Sequence, residues 1–188
     1  MTGPRIEPLR EDELGPEGMA VATKLRAAYG LTTSELPETI ATMLRHPTLY
    51  NAYVDYVRVR ASASVLAPRD TELVILRTTW LCRCGYVWAE HVRFGKQAGL
   101  GDGEIEQIVE GSAASGWSDR DRALNRLAEE LHDASTVEDA TWAVLAAHFT
   151  EQQLIELLIM VGAYHEVAFL YNAMRVRPMP GSLGLDAR

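Results

Sequence analysis

Four of the eight prolines in this 188-residue chain, Pro16, Pro37, Pro47 and Pro68, each stand at the head of a run in which apolar residues recur every three or four positions. Proline fixes φ near the helical value and has no N–H to offer, which suits the first turn of a helix. The spacing predicts a helix from Pro16 to Tyr29, with Gly30 as its left-handed stop. Leu36, Ile40, Met43 and Leu44 form a short helical stripe that opens at Pro37 and halts at His46, because Pro47 disfavours helix in the residue before it. Leu49, Tyr50, Tyr53, Val57 and Ala61 give the Pro47 helix one apolar face. After a break at 62–67, Pro68 opens a helix with Leu73, Leu76 and Trp80 on its buried side. The chain is expected to bend around Cys82 to Gly85, since glycine costs roughly 1 kcal/mol inside a helix. A further helix then ends at Gly99.

The second half reads the same way. Ile105, Ile108 and Val109 mark a short helix over 102–111, closed by Gly111, and 112–117 is turn-rich. Ser118 with Asp121, Thr136 with Asp139, and Thr150 with Gln153 resemble capping pairs and open three more helices. The first turns Leu124, Leu127 and Leu131 inward, the second Trp142, Leu145 and Ala146. The third, 151–175, is apolar nearly all round through Leu154, Ile155, Leu157, Leu158, Met160 and Val161. It is expected to be buried on all sides, in the centre of the domain or at a subunit interface. No strand, repeat or low-complexity segment stands out. The expectation is an all-α, single-domain helical bundle of eight or nine helices over 16–175. Residues 1–15 precede it as an arm that wraps a neighbour or stays mobile, and 176–188 follow as a loop tail.

Charge and composition narrow the function. A net charge of −8 argues against a nucleic-acid or anionic-membrane partner, which would want a basic face. No apolar run reaches the ~20 residues of a membrane helix; the longest candidate, 154–174, is broken by Glu156, His165 and Glu166. The two cysteines are spaced Cys-x-Cys, make no disulfide framework and fit a reducing cytosol. No charged segment followed by an apolar one opens the chain as a leader would. The expected setting is cytoplasmic. No two-His-plus-carboxylate spacing on one helix suggests a metal, and no glycine-rich phosphate loop follows a strand. Cofactor-free chemistry on a small molecule is the default expectation.

The chemistry concentrates between Glu72 and Gly99, which hold both cysteines, Cys82 and Cys84, with Trp80, Trp88 and His91. Cys84 and His91 lie seven residues apart, about two helical turns, so they share a face, with Val87 and Trp88 between them. Glu72 precedes Cys84 by 12 residues, on the helix before. A carboxylate, a thiol and an imidazole can therefore meet between two packed helices. Each has a plainer reading. Glu72 suits an early helix turn through the macrodipole, His91 can be a core histidine bonded to backbone, and Cys84 can be a small buried hydrophobe. Against this, imidazole titrates nearest physiological pH, and Cys84, at a helix start and facing His91, has surroundings that favour thiolate.

The identity and spacing of Glu72, Cys84 and His91 resemble the fingerprint of the carboxymuconolactone decarboxylase and alkylhydroperoxidase D-like superfamily, a Glu followed by Cys-x-x-Cys and then a His. Val87 stands at the second cysteine position, so the Cys-x-x-Cys is broken, and Tyr86 stands where the peroxidase branch often has another His. Tyr86, Trp88 and His91 resemble the aromatic-x-Trp-x-x-His stretch of the decarboxylase-like branch. The Arg-x-x-Glu-Leu of 69–73, the Ala-Gly-Leu of 98–100 and the Glu-Ile of 104–105 are similar to that branch too. The resemblance covers roughly residues 45–175.

It implies an alkylhydroperoxidase D-like helical subunit in a ring-like homo-oligomer (dimer, trimer or hexamer), with the pocket at or near a subunit interface. It further implies catalysis by Glu72, Cys84 and His91, a pocket lined by Tyr86, Val87 and Trp88, and a cofactor-free lyase acting on a small carboxylated, lactone-like substrate. One alternative is a thiol peroxidase or disulfide reductase (peroxiredoxin activity) working through Cys84. There Cys82 would have to resolve the sulfenic acid, although residues i and i+2 of a helix point about 200° apart. Another is a non-catalytic oligomeric binding module. Arg69, Arg77 and Arg83 are the nearby cations for a substrate carboxylate. Tyr164 and His165 interrupt an apolar helix, and their buried tips need partners, each other or a ligand; Asn172 is of the same rank. His46, His132 and His148 sit near helix ends, where imidazole suits the C-terminal dipole, and are assigned no chemistry.

Overall fold

The computed structural model describes residues 3–30 and 36–188. Among the described residues there are nine α-helices and no strand. They are α1 (Pro16–Tyr29), α2 (Glu38–Met43), α3 (Pro47–Ser62), α4 (Pro68–Leu81), α5 (Gly85–Gln97), α6 (Asp102–Glu110), α7 (Asp119–Ala134), α8 (Asp139–His148) and α9 (Glu151–Met174). The all-α expectation holds. Proline opens α1, α3 and α4, and Pro37 immediately precedes α2. Gly30 closes α1 at φ 61°, the left-handed stop the sequence predicts.

The chain forms two compact units. One runs to Ser64 and includes Met174–Arg177. Its core is built from Val21, Ala22 and Leu25 of α1, Ile40 and Leu44, and Tyr50 and Val54 of α3. Leu49, expected on the inward face of α3, is 61% exposed. The described part of the arm, residues 3–15, packs on its own chain; Met1 and Thr2 lie outside the described residues. The Leu9 N–H donates to the Ala41 carbonyl at 3.2 Å, and Arg45 Nε donates to the Glu7 carbonyl at 2.7 Å. Leu9 and Leu14 pack on the core of this unit.

The other unit, Val65–Ala173 with Pro178–Arg188, carries α4–α9. Its central element is α4, in which Asp70 and every residue from Leu73 to Thr79 are buried. The polar members of that run are silenced locally. Thr78 Oγ1 donates to the Val74 carbonyl at 2.8 Å, and Thr79 Oγ1 to the Leu76 carbonyl at 3.1 Å. Arg77 donates to Glu129 at 2.9 Å and to the last carbonyls of α6, Ile108 at 2.9 Å and Val109 at 3.0 Å. All-round burial, in the centre of the domain or at a subunit interface, was expected of the last helix. That helix, α9, buries Leu154, Leu157, Met160 and Val161 but leaves Ile155 60% and Phe169 66% exposed. By length and a mean hydropathy of 1.5 it is apolar enough to cross a membrane, which the broken-run reading did not credit; 33% of that window is buried within the protein.

Two boundaries also differ from expectation. Helix α8 is capped by Glu138, whose N–H donates to Glu130, so Thr136 plays no cap role. It turns Thr141 and Leu145 inward, leaving Trp142 and Ala146 exposed. An all-apolar face set gives the sequence no way to choose the inward side. The tail is more than loop: Gly184–Asp186 make a 3-10 turn, and the Ala187 carbonyl accepts the Trp88 Nε1–H at 3.0 Å.

Candidate active site

Glu72 projects from the second turn of α4 and His91 from the middle of α5. The two helices approach closely where Gly95, one turn beyond His91, faces α4. A Cβ at Gly95 would lie 3.1 Å from Leu76 Cδ1, 3.0 Å from Leu100 Cδ1 and 3.8 Å from Glu72 Cβ. That approach brings Glu72 Oε2 to 2.7 Å from His91 Nδ1, with both side chains only 14% exposed. On the far side of the imidazole, the Tyr164 hydroxyl of α9 lies 3.2 Å from Nε2, its ring edge-on to His91. A carboxylate can only accept, so in the neutral imidazole Nδ1 carries the proton, Nε2 is the free base, and the Tyr164 O–H donates to it. The result is a continuous chain, Glu72–His91–Tyr164, drawn from three helices.

Cys84 stands beside this chain and not in it. It precedes α5 at the expected bend, where Arg83 takes φ 54°. It is fully buried against Val87 and Ala168, with Cys82, Tyr86, Tyr164, Val167 and Tyr171 around them. Burial pushes its thiol up, and the opposing hydrogen bond from the Val87 backbone is too weak to reverse that. The expectation that His91 would favour a thiolate fails because both imidazole nitrogens are already engaged, by Glu72 and by Tyr164. Cys82, half-buried, is pushed up to about 11 by burial and by its neighbour Cys84. Both cysteines are free thiols.

The expected pocket residues divide. Tyr86 and Val87 belong with Cys84 and Tyr164, Tyr86 lying edge-on to Tyr171 at 5.2 Å. Trp88 does not line that region. It is fully buried in the main core, 5.0 Å from Trp80, because the next residue on a helix turns about 100° away. Of the three cations, Arg69 is held by Asp121 at 3.1 Å and by Glu104, and Arg77 by Glu129. Arg83 is exposed over the Trp80 ring at 5.3 Å.

Tyr164 and His165 do not pair with each other, since adjacent helical residues diverge. His165 Nε2 instead lies 2.9 Å from His132 Nδ1, and Cys82 Sγ lies 3.9 Å from that same nitrogen. Asn172 Nδ2 donates to the Cys82 carbonyl at 2.8 Å. No local spacing could announce a cluster whose members come from three separate helices and their ends. His46 caps the start of α3, accepting the Leu49 N–H, and does not serve a C-terminal dipole.

Residues 47–130, which include Glu72, Cys84 and His91, match the carboxymuconolactone decarboxylase family. The fold is also similar to that of an alkylhydroperoxidase D core, an uncharacterized peroxidase-related protein from Ralstonia eutropha JMP134. The TM-score is 0.75 at 16% identity, covering 95% of this chain and 93% of that one. Residues 47–130 are thus carboxymuconolactone decarboxylase-like, and the fold is of the alkylhydroperoxidase D type.

Other solved structures carry the same architecture. A peroxidase-related protein from Silicibacter sp. TM1040 matches with a TM-score of 0.70 at 17% identity, over 97% of both chains. The debrominase Bmp8, in its structure with 2,3,4-tribromopyrrole, matches with a TM-score of 0.67 at 15% identity, over 92% of this chain and 90% of that one. At such identities the likeness is one of fold. No curated protein matches the chain.

Proposed function

We propose that this protein is a cofactor-free enzyme of the carboxymuconolactone decarboxylase-like branch that moves protons through His91 on a small carboxylated, lactone-like substrate. The observation that carries this reading is the 2.7 Å contact between Glu72 and His91 Nδ1, which presents Nε2 as the working atom. Glu72 orients the ring and balances the imidazolium when Nε2 takes a proton. In the step proposed, the bond to the substrate carboxylate breaks, CO₂ leaves and the electron pair remains as an enolate. The Nε2 proton is then delivered to the carbon that lost CO₂, so one proton is taken up per turnover. The Tyr164 hydroxyl, already within reach of Nε2, donates to the developing enolate oxygen. A cytosolic homo-oligomer with its pocket at or near a subunit contact goes with this reading.

The thiol-peroxidase alternative asks Cys84 for a reactive thiolate and a resolving partner. Its burial raises the thiol, its nearest imidazole is occupied, and the second thiol position is Val87. These features favour acid–base chemistry. The deciding experiment measures turnover of a panel of carboxylated lactones, and of peroxide with a thiol reductant, by the parent, His91→Ala and Cys84→Ser. The proposal expects His91→Ala to lose about 10²–10⁴-fold on a lactone and Cys84→Ser to keep activity within severalfold. Peroxide turnover lost in Cys84→Ser would establish the thiol reading. A substrate turned over equally by the parent and His91→Ala would show the chain Glu72–His91–Tyr164 to be idle, as a binding module would have it.

A further inference from the structure

We infer that Cys82, His132 and His165 form a binding site for Zn²⁺, separate from the proton chain of Glu72, His91 and Tyr164. Cys82 ends α4, His132 lies in the last turn of α7 and His165 in the middle of α9. Their three candidate ligand atoms all fall within 4.8 Å of one another. A tetrahedral zinc with Zn–S of about 2.3 Å and Zn–N of about 2.0 Å sets its ligand atoms about 3.3–3.6 Å apart. The 3.9 Å from Cys82 Sγ to His132 Nδ1 and the 2.9 Å from His132 Nδ1 to His165 Nε2 bracket that spacing. Side-chain torsions that draw all three ligand atoms, none more than 4.8 Å from another, toward a common centre would complete the site.

The surroundings already orient the ligands. His165 Nδ1 lies 2.9 Å from the Val161 carbonyl one turn back. A carbonyl only accepts, so Nδ1 bears the proton and Nε2 presents its lone pair to the cluster. A metal-bound histidine is held in this way, with the other ring N–H donated to a carbonyl. Without a metal the His132 Nδ1–H donates to the His165 Nε2 lone pair at 2.9 Å; a metal ion takes that proton's place, the His132 proton moving to Nε2. Asn172 fixes the Cys82 backbone through the Cys82 carbonyl at 2.8 Å, joining the end of α4 to α9. His132 is exposed, which gives an ion access and leaves a fourth position for water.

Two imidazoles and one thiolate suit a borderline-soft ion, and zinc accepts tetrahedral N₂S with water without geometric penalty. On coordination the Cys82 S–H loses its proton to solvent and a Zn–S bond forms; nothing is oxidised or reduced. The bound ion would tie α4, α7 and α9 together, and it would withdraw Cys82 from any role as a resolving thiol. Because Tyr164 and His165 point about 100° apart on α9, the ion sits on a different face of that helix from the proton chain.

The test is titration of the metal-free full chain with Zn²⁺, and with Co²⁺ as a spectroscopic stand-in, under reducing conditions. One ion per chain is expected, with a thiolate-to-cobalt band in the near ultraviolet, tetrahedral visible bands and a Tm that rises with Zn²⁺. As the chain has two cysteines, the sulfur donor is assignable. Cys82→Ser should abolish the near-ultraviolet band, Cys84→Ser should keep it, and His132→Ala should weaken Zn²⁺ binding at least tenfold, with circular dichroism unchanged in all three. Absence of stoichiometric binding, survival of the band in Cys82→Ser, or its loss in Cys84→Ser alone would overturn the assignment.

Discussion

Three side chains carry the proton chain, and their atoms make separable demands. His91 needs a carboxylate at Nδ1 to hold one tautomer, and Glu72 supplies it at 2.7 Å. Glu72→Gln leaves a side chain of the same shape but removes the charge that balances an imidazolium, so kcat should fall about 10²-fold or more with the fold intact, read by steady-state kinetics beside circular dichroism. Tyr164→Phe removes the hydroxyl 3.2 Å from Nε2 while keeping the ring that packs edge-on to His91. It should lower kcat about tenfold with KM nearly unchanged, the signature of a contact that matters in the transition state. Glu72 and His91 were legible in the sequence because each sits on a clear helix and their spacing resembles a known fingerprint. Tyr164 was legible only as a polar tip in need of a partner. Its partner lies 73 residues away in the chain, and no local periodicity encodes such a distance.

At the scale of elements, the close approach of α5 to α4 is what makes the site. Gly95→Ala would set a methyl 3.0 Å and 3.1 Å from Leu100 and Leu76, both packed in the core. Overpacking costs about 1–3 kcal/mol, against about 1 kcal/mol gained in helix propensity. The expected outcome is a lower Tm, with the activity proposed for the Glu72–His91 pair reduced as the two are pushed apart. Arg77 stitches α4 to α6 and α7; Arg77→Met would leave the Ile108 and Val109 carbonyls without their donor and Glu129 with its Ser112 hydrogen bonds only. A loss of about 1–3 kcal/mol in chemical denaturation is expected. Glu104, in the first turn of α6, supports the same packing from outside. Burial alone would raise its carboxyl, but the Gly101 N–H and Arg69 outweigh that and hold it below the ordinary 4.5. Its folded value is depressed, so the stability it contributes is present above that ordinary value and drains away as pH falls through the folded one. Glu104→Gln should therefore flatten the decline of Tm below about pH 4.5. These helices were largely legible: prolines marked their starts and glycines their ends. Hydrophobicity alone does not rank depth within one subunit. Helix α9 is more apolar than α4, yet α4 is central, because Thr78, Thr79 and Arg77 satisfy themselves on nearby carbonyls and can be buried without cost to the pattern.

For the whole molecule, the all-helical architecture follows from many local signals agreeing, and the alkylhydroperoxidase D-like fold is matched over almost the entire chain. Long-range closures were the illegible part. The arm lies on its own chain, and residues 183–188 cover Trp88, whose N–H ends on the Ala187 carbonyl. Removing residues 183–188 should uncover that indole and lower Tm by several degrees, seen together with a shift in tryptophan fluorescence. Acid–base work at this site requires one protonation pattern of the His91 ring, which is measurable without knowing the substrate. In ¹⁵N-resolved NMR of the histidine side chains, His91 should show a protonated Nδ1 with a strongly downfield proton, an unprotonated Nε2, and loss of that downfield shift in Glu72→Gln. A protonated Nε2 with a bare Nδ1 in the resting protein, or a spectrum of His91 indifferent to Glu72→Gln, would contradict it.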